Sequence, residues 1–381
     1  MKPIKLILLF LIGFCPSLFT QTFSLKDYLE KEGSQLPAGV VLSIGIIENG
    51  QIKKTGLRKS ESAWEIIQND HALFEIGSIT KTFTAALIFR LSEENKINIE
   101  DPIQQYLPVT LKNAYYQDST IKIRHLLQHT SGLSNGPSSF TLPYLKALIF
   151  SPKNPNRNFK AKHYYKYLKD FELDYLPGKT WDYNNCGYGL LGTFIEKTSQ
   201  KSWAEIVQKE LFEPLKMNSS YFEINRTNKS NFVEGITAKG KKAKPWEMDF
   251  INPAGAIKST LNDMLKYAEA ALHPHTSGLD FMESMQNFPG DTIKMTESKL
   301  WKGNAMATGW WLNLEDANQP FFWHGGASGG YTAFIGFNQE KQKAVVILSN
   351  ISSSHPQSRA ENRIPIPIFL GQEMMRNKMD F

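Results

Sequence analysis

From Ser78 to Leu91, Phe83, Ala86, Leu87 and Arg90 recur at helical spacing and few positions on any face are polar. A helix apolar nearly all round belongs inside a fold, with other elements packed about it. The chain enters it through Phe74-Glu75-Ile76-Gly77, an extended pattern ending in glycine.

Strand patterns lie at both ends of the sequence. Val40 to Ile47 is mostly β-branched or small, Asn49-Gly50 follows, and Lys53 to Leu57 resumes, which predicts a hairpin with a tight primed turn. Ala307 to Leu314, Thr332 to Phe337 and Ala344 to Ser349 read as late strands, the last two joined by the polar turn Asn338 to Lys343. Between the ends lie short helical patterns at Ile123 to His129, Gly189 to Thr198 and Trp203 to Glu210. A further helix spans Asn262 to Leu272, with Ser259, Thr260 or Asn262 as its cap. The expected fold is α/β (α+β): an antiparallel sheet formed from both chain ends and flanked by helices. Its sheet part covers about 22–95 and 255–381, a helical insert covers about 96–254, and the active site lies at the seam.

Residues 1–21 place Lys2 and Lys5 before an apolar run from Leu6 to Phe14, then Pro16 and small or polar residues. This reads as a secretory signal cleaved near Ser17 to Gln21, which predicts an exported chain 22–381, periplasmic or secreted. The run is shorter than the roughly 20 apolar residues of a spanning helix. Phe14 before Cys15 argues against a lipoprotein signal. Cleavage removes Cys15 and leaves Cys186 alone, so no intramolecular disulfide is expected. It also removes Lys2 and Lys5 and no acidic residue, taking the formal charge from +6 to +4. That modest excess is not the basic stripe of a nucleic-acid binder. The basic stretch Lys239 to Lys244 reads as a solvated loop. No zinc-ligand spacing and no phosphate-binding glycine loop is found, so no metal or cofactor is expected.

A serine hydroxyl needs a neighbouring base before it attacks. Ser78 and Lys81 share a face at a helix start, where an enclosed lysine loses proton affinity and free backbone N–H groups can hold an oxyanion. The bland alternative for Ser78 is an N-cap. Ser119 and Lys122 have the same spacing, but Ser119 follows Asp118 in a polar connection and is expected to cap the helix containing Leu126 and Leu127.

The chain resembles the serine β-lactamases and penicillin-recognising DD-peptidases, particularly the class C branch and its esterase relatives. The family pattern S-x-x-K, Y-x-N, then K-T-G or H-x-G is matched in order by Ser78-Ile79-Thr80-Lys81, Tyr183-Asn184-Asn185 and His324-Gly325-Gly326. Flanks at His125 to Leu133, Pro177 to Gly192 and Asn252 to Met264 also resemble that family's. The resemblance implies that Ser78 is the nucleophile, that Lys81 draws down the Tyr183 proton, and that Tyr183 serves as base and then acid. It places Asn185, His324, Gly325, Gly326 and Ala327 at the substrate, with Ser78 and Ala327 N–H groups as the oxyanion hole. Lys54-Thr55-Gly56 spells the third motif but precedes the nucleophile in the first hairpin, and Lys54 reads as a solvated strand residue. Histidine and glycine in place of Lys-Thr weaken anion recognition at neutral pH, and His324 is expected to titrate near ~6.5. Candidate substrates are β-lactams, D-amino-acid peptides of cell-wall type and simple esters. The alternative is a non-catalytic penicillin-recognising sensor.

Overall fold

The computed structural model describes residues 22–136, 158–286, 293–294, 304–315, 319–360 and 364–380; residues 1–21, expected from the sequence to be a secretory signal, lie outside them. Asn49 and Gly50 both take positive φ, 50° and 75°, and close the first hairpin as the primed turn requires. Val41–Glu48 then pairs antiparallel on one side with Gln51–Lys59 and on the other with Lys343–Ser349, Ile44 standing opposite Ile347. The two chain ends therefore meet in one sheet. Among the described residues it has nine strands, in the order Trp64–Ile67, Gln51–Lys59, Val41–Glu48, Lys343–Ser349, Thr332–Asn338, Phe321–Ala327, Trp311–Asn313, Asn304–Met306, Ile293–Lys294. Every neighbouring pair is antiparallel.

Both faces of its centre are covered, which is why those strands are apolar throughout rather than alternating. Val346 and Leu348 face a core shared with the helices Thr80–Glu93 and Leu261–Leu272. Val345 and Ile347, one residue out of phase, face a second core shared with Leu25–Lys31 and Ile366–Arg376. The helix Thr80–Glu93 is buried over nearly its whole length, as its composition demands.

Several expectations change. Ala307 to Leu314 is not one strand: Gly309, at φ +79°, turns the chain, Ala307 N–H donates to the Trp310 carbonyl, and only Trp311–Asn313 is extended. Ser119 caps no helix. It pairs with Tyr116 in a two-residue ladder, and the helix Ile123–Leu127 begins after Lys122, whose N–H donates to His125 Nδ1 at 3.1 Å. Of the three candidate caps near residue 260, Thr260 is the one used, accepting from Asp263 N–H. Lys54, by contrast, is the exposed strand residue that was expected, tied to Asp70 and Asn262, each at 2.8 Å.

Candidate active site

The strand Leu73–Glu75 leads through Ile76 to Gly77, which turns at φ +51° into the 3-10 turn Gly77–Ile79 and the buried helix. This turn presses against the end of Phe321–Ala327. A Cβ on Gly77 would lie 2.6 Å from the Ala327 carbonyl oxygen, and one on Gly326 would lie 1.9 Å from that of Ile76. Only glycine fits either place, so the pair fixes the serine turn against the strand. Ser78 caps nothing: neither the turn nor the helix takes a side-chain cap, and the Ser78 hydroxyl lies 3.2 Å from Lys81 Nζ.

Lys81 is completely buried, and burial holds its pKa well below the usual lysine value with no carboxylate opposing the shift. Its Nζ lies 2.7 Å from Asn185 Oδ1, 2.9 Å from the Ala254 carbonyl oxygen and 3.2 Å from Ser78 Oγ. The first two atoms can only accept, whereas the Ser78 hydroxyl can accept a third N–H from an ammonium or give its proton to the lone pair of a neutral amine.

The second motif splits its labour. Asn184 caps the helix Asn185–Ser199 by accepting Gly187 N–H at 2.9 Å, which leaves Tyr183 and Asn185 on the site. The Tyr183 ring lies under Lys81 Nζ, 4.8 Å from its centroid. Burial raises the phenol's pKa and its hydrogen bond with Ser78 opposes this only in part, so the phenol keeps its proton. His129, assigned no role from the sequence, underlies this arrangement: its ring is 4.5 Å from that of Tyr183, and its Nδ1 accepts Asn184 N–H at 3.1 Å. Its position within His125 to Leu133, beside the first two motifs, was the available signal.

His324 departs from expectation. It is wholly buried, stacked 4.4 Å from Trp311, with Nδ1 donating to the Gly325 carbonyl at 2.8 Å. Burial first, and Lys81 second, push its pKa down to about 3, so it does not titrate near neutrality. Gly325 and Gly326 are buried with it, Gly325 against Ile368. Of these four neighbours only Ala327 lines the cleft that opens on Ser78. That cleft, about 220 Å³, is walled by Asn135, Asn185 and Cys186 on one part and by Phe159, Trp246, Met248 and Ile251 on another. Among the described residues no cationic side chain lines it.

A sequence model of the family described as Beta-lactamase matches residues 36–365. The chain is 24% identical over 324 residues to Protein flp of Staphylococcus aureus (strain MRSA252), aligning 84% of its own length with 61% of that protein, so it spans less than two thirds of that relative. It is 24% identical over 354 residues to a beta-lactamase of Providencia stuartii, covering 86% of this chain and 85% of the relative. Among solved structures, it superposes on the octameric penicillin-binding protein homologue from Pyrococcus abyssi with a TM-score of 0.71 and 23% identity, covering 92% and 75% of the two chains. On a class C beta-lactamase the TM-score is 0.68 at 19% identity, covering 88% and 90%. At these identities the structural matches establish a common fold.

Proposed function

Because this chain belongs to the beta-lactamase family, we propose that it is an exported serine acyl hydrolase of the class C-like branch, with Ser78 as nucleophile, Lys81 as general base and Tyr183 as general acid. The observation that carries this reading is the set of three neighbours around Lys81 Nζ, two of which can only accept, so that a lysine made neutral there would donate to both and turn its lone pair to Ser78. As Ser78 Oγ attacks the acyl carbon, Lys81 takes its proton, and the carbonyl electron pair moves to an oxyanion facing the Ser78 and Ala327 N–H groups. Collapse expels the leaving group, which takes the Tyr183 proton. The Lys81 ammonium then reprotonates the Tyr183 phenolate, and water releases the acyl group by the same steps. Relative to the motif-based expectation, base and acid are divided between two residues, because burial lowers the proton affinity of the lysine while it raises that of the phenol.

The absence of a cation among the described lining residues favours neutral acyl donors over substrates bearing a carboxylate. We expect kcat/KM for a short-chain p-nitrophenyl ester to match or exceed that for a cephalosporin or a D-Ala-D-Ala peptide measured on one preparation. The ratio of ester to cephalosporin turnover should be flat from about pH 5.5 to 8, the span in which an ordinary histidine titrates, because His324 stays neutral with its pKa near 3. A ratio that falls in acid would give His324 a titrating role after all. Stable labelling by a fluorescent penicillin without turnover of any substrate would favour a non-catalytic sensor.

A further inference from the structure

The apolar wall of the cleft contains one residue held more firmly than its place in a loop requires. Trp246 N–H donates to Glu75 Oε1 at 2.5 Å, and the Trp246 carbonyl accepts from Lys258 Nζ at 2.8 Å. Glu75 and Lys258 are 3% and 2% exposed and stand opposite each other in the short ladder immediately before the serine turn. Lys258 is itself fixed, donating also to the Phe222 and Ala256 carbonyls at 3.0 Å each. A buried acidic side chain and a buried lysine thus grip the two sides of one backbone unit. The indole is seated as well: a Cβ on Gly329 would lie 2.7 Å from Trp246 Nε1, so the ring packs there only because residue 329 has no side chain.

With its main chain held on both sides and its ring against Gly329, Trp246 has a defined place in the wall. The cleft it bounds opens on Ser78, so the Trp246 ring stands in the wall along which an acyl group attached to Ser78 would extend. We propose that Trp246, held by the Glu75–Lys258 pair and the Gly329 niche, sets the length of the acyl group that Ser78 accepts and restricts the enzyme to short apolar acyl chains. The proposal rests on the acyl-hydrolase reading.

The test is the kcat/KM series for p-nitrophenyl esters from acetate to octanoate, with active sites counted by fluorophosphonate titration. The parent chain should lose activity steeply with length. In Trp246→Ala the octanoate-to-acetate ratio should rise by at least about tenfold, since one methylene in an apolar pocket already changes kcat/KM by that much. Trp246→Phe should keep the parent profile, and Gly329→Ala, which displaces the indole without removing it, should move it in the direction of Trp246→Ala. An unchanged ratio in Trp246→Ala and Gly329→Ala enzymes that titrate fully would overturn the proposal and leave the hydrolase reading standing. Absence of both labelling and turnover in the parent chain would overturn the hydrolase reading, and this proposal with it.

Discussion

Lys81→Met is expected to lose about 10²- to 10⁴-fold in kcat/KM, the range for a positioned proton-transfer group, and to change the pH dependence of stability in a direction that identifies the cause. In the unfolded chain Lys81 takes up a proton at its ordinary pKa of about 10.4. In the folded protein its pKa lies well below the usual value, because the side chain is completely buried and has no carboxylate partner. Between those two pKa values the unfolded state binds the extra proton, so this group makes the fold more stable as pH rises through that window. Methionine takes up no proton in either state. The hydrogen bonds lost to Asn185 and Ala254 cost the variant an amount that does not vary with pH. The quantity to measure is therefore the difference in urea stability between parent and variant at pH 7 and near pH 10, and the parent should gain on the variant as pH rises. A parent that loses ground at the higher pH would mean that Lys81 is a charged, ion-paired lysine, which cannot act as the base.

Gly326→Ala should impair both stability and catalysis although it touches no substrate. The added Cβ would meet the Ile76 carbonyl oxygen at 1.9 Å and the Ile76 carbonyl carbon at 2.9 Å, and these are backbone atoms that no rotamer change can move aside. Relief requires the strand Phe321–Ala327 to move away from the serine turn, at a cost of about 1–3 kcal/mol. The same movement carries the Ala327 N–H away from the oxyanion position. A misplacement of ~1 Å in such a site costs about 10²-fold, so kcat should fall by that order while Ser78 and Lys81 stay intact. Wild-type kcat in a folded Gly326→Ala protein would show that the strand end does not set the oxyanion geometry.

Local chemistry explains what could be read from the sequence. The Asn49-Gly50 hairpin, the buried helix Thr80–Glu93 and the late strands Thr332–Asn338 and Lys343–Ser349 each carry a local pattern that only one structure satisfies. The strand Trp64–Ile67 has a mixed pattern because its edge position leaves Ile66 exposed, and the helix Ile366–Arg376 begins among prolines that mask its period. At the site, order and spacing brought Ser78, Lys81, Tyr183 and Asn185 together. The protonation of His324 was not readable, because it depends on Trp311 and the surrounding strands covering the ring. The same holds for the Ala254 carbonyl beside Lys81 and for the Glu75–Lys258 grip on Trp246, each of which joins distant segments through main-chain atoms that no motif records.

The central claim, that Ser78 is the nucleophile and Lys81 its base, is tested most directly by the rate and site of covalent labelling. The parent chain, Ser78→Ala, Lys81→Met and Tyr183→Phe would each be treated with a fluorophosphonate and followed by intact-protein and peptide mass spectrometry. One adduct per chain is expected, on Ser78, forming rapidly in the parent, slower by about 10²-fold or more in Lys81→Met, near the parent rate in Tyr183→Phe because fluoride leaves without a proton, and absent from Ser78→Ala. Labelling that persists in Ser78→Ala on another serine, or that proceeds at the parent rate in Lys81→Met, would contradict it.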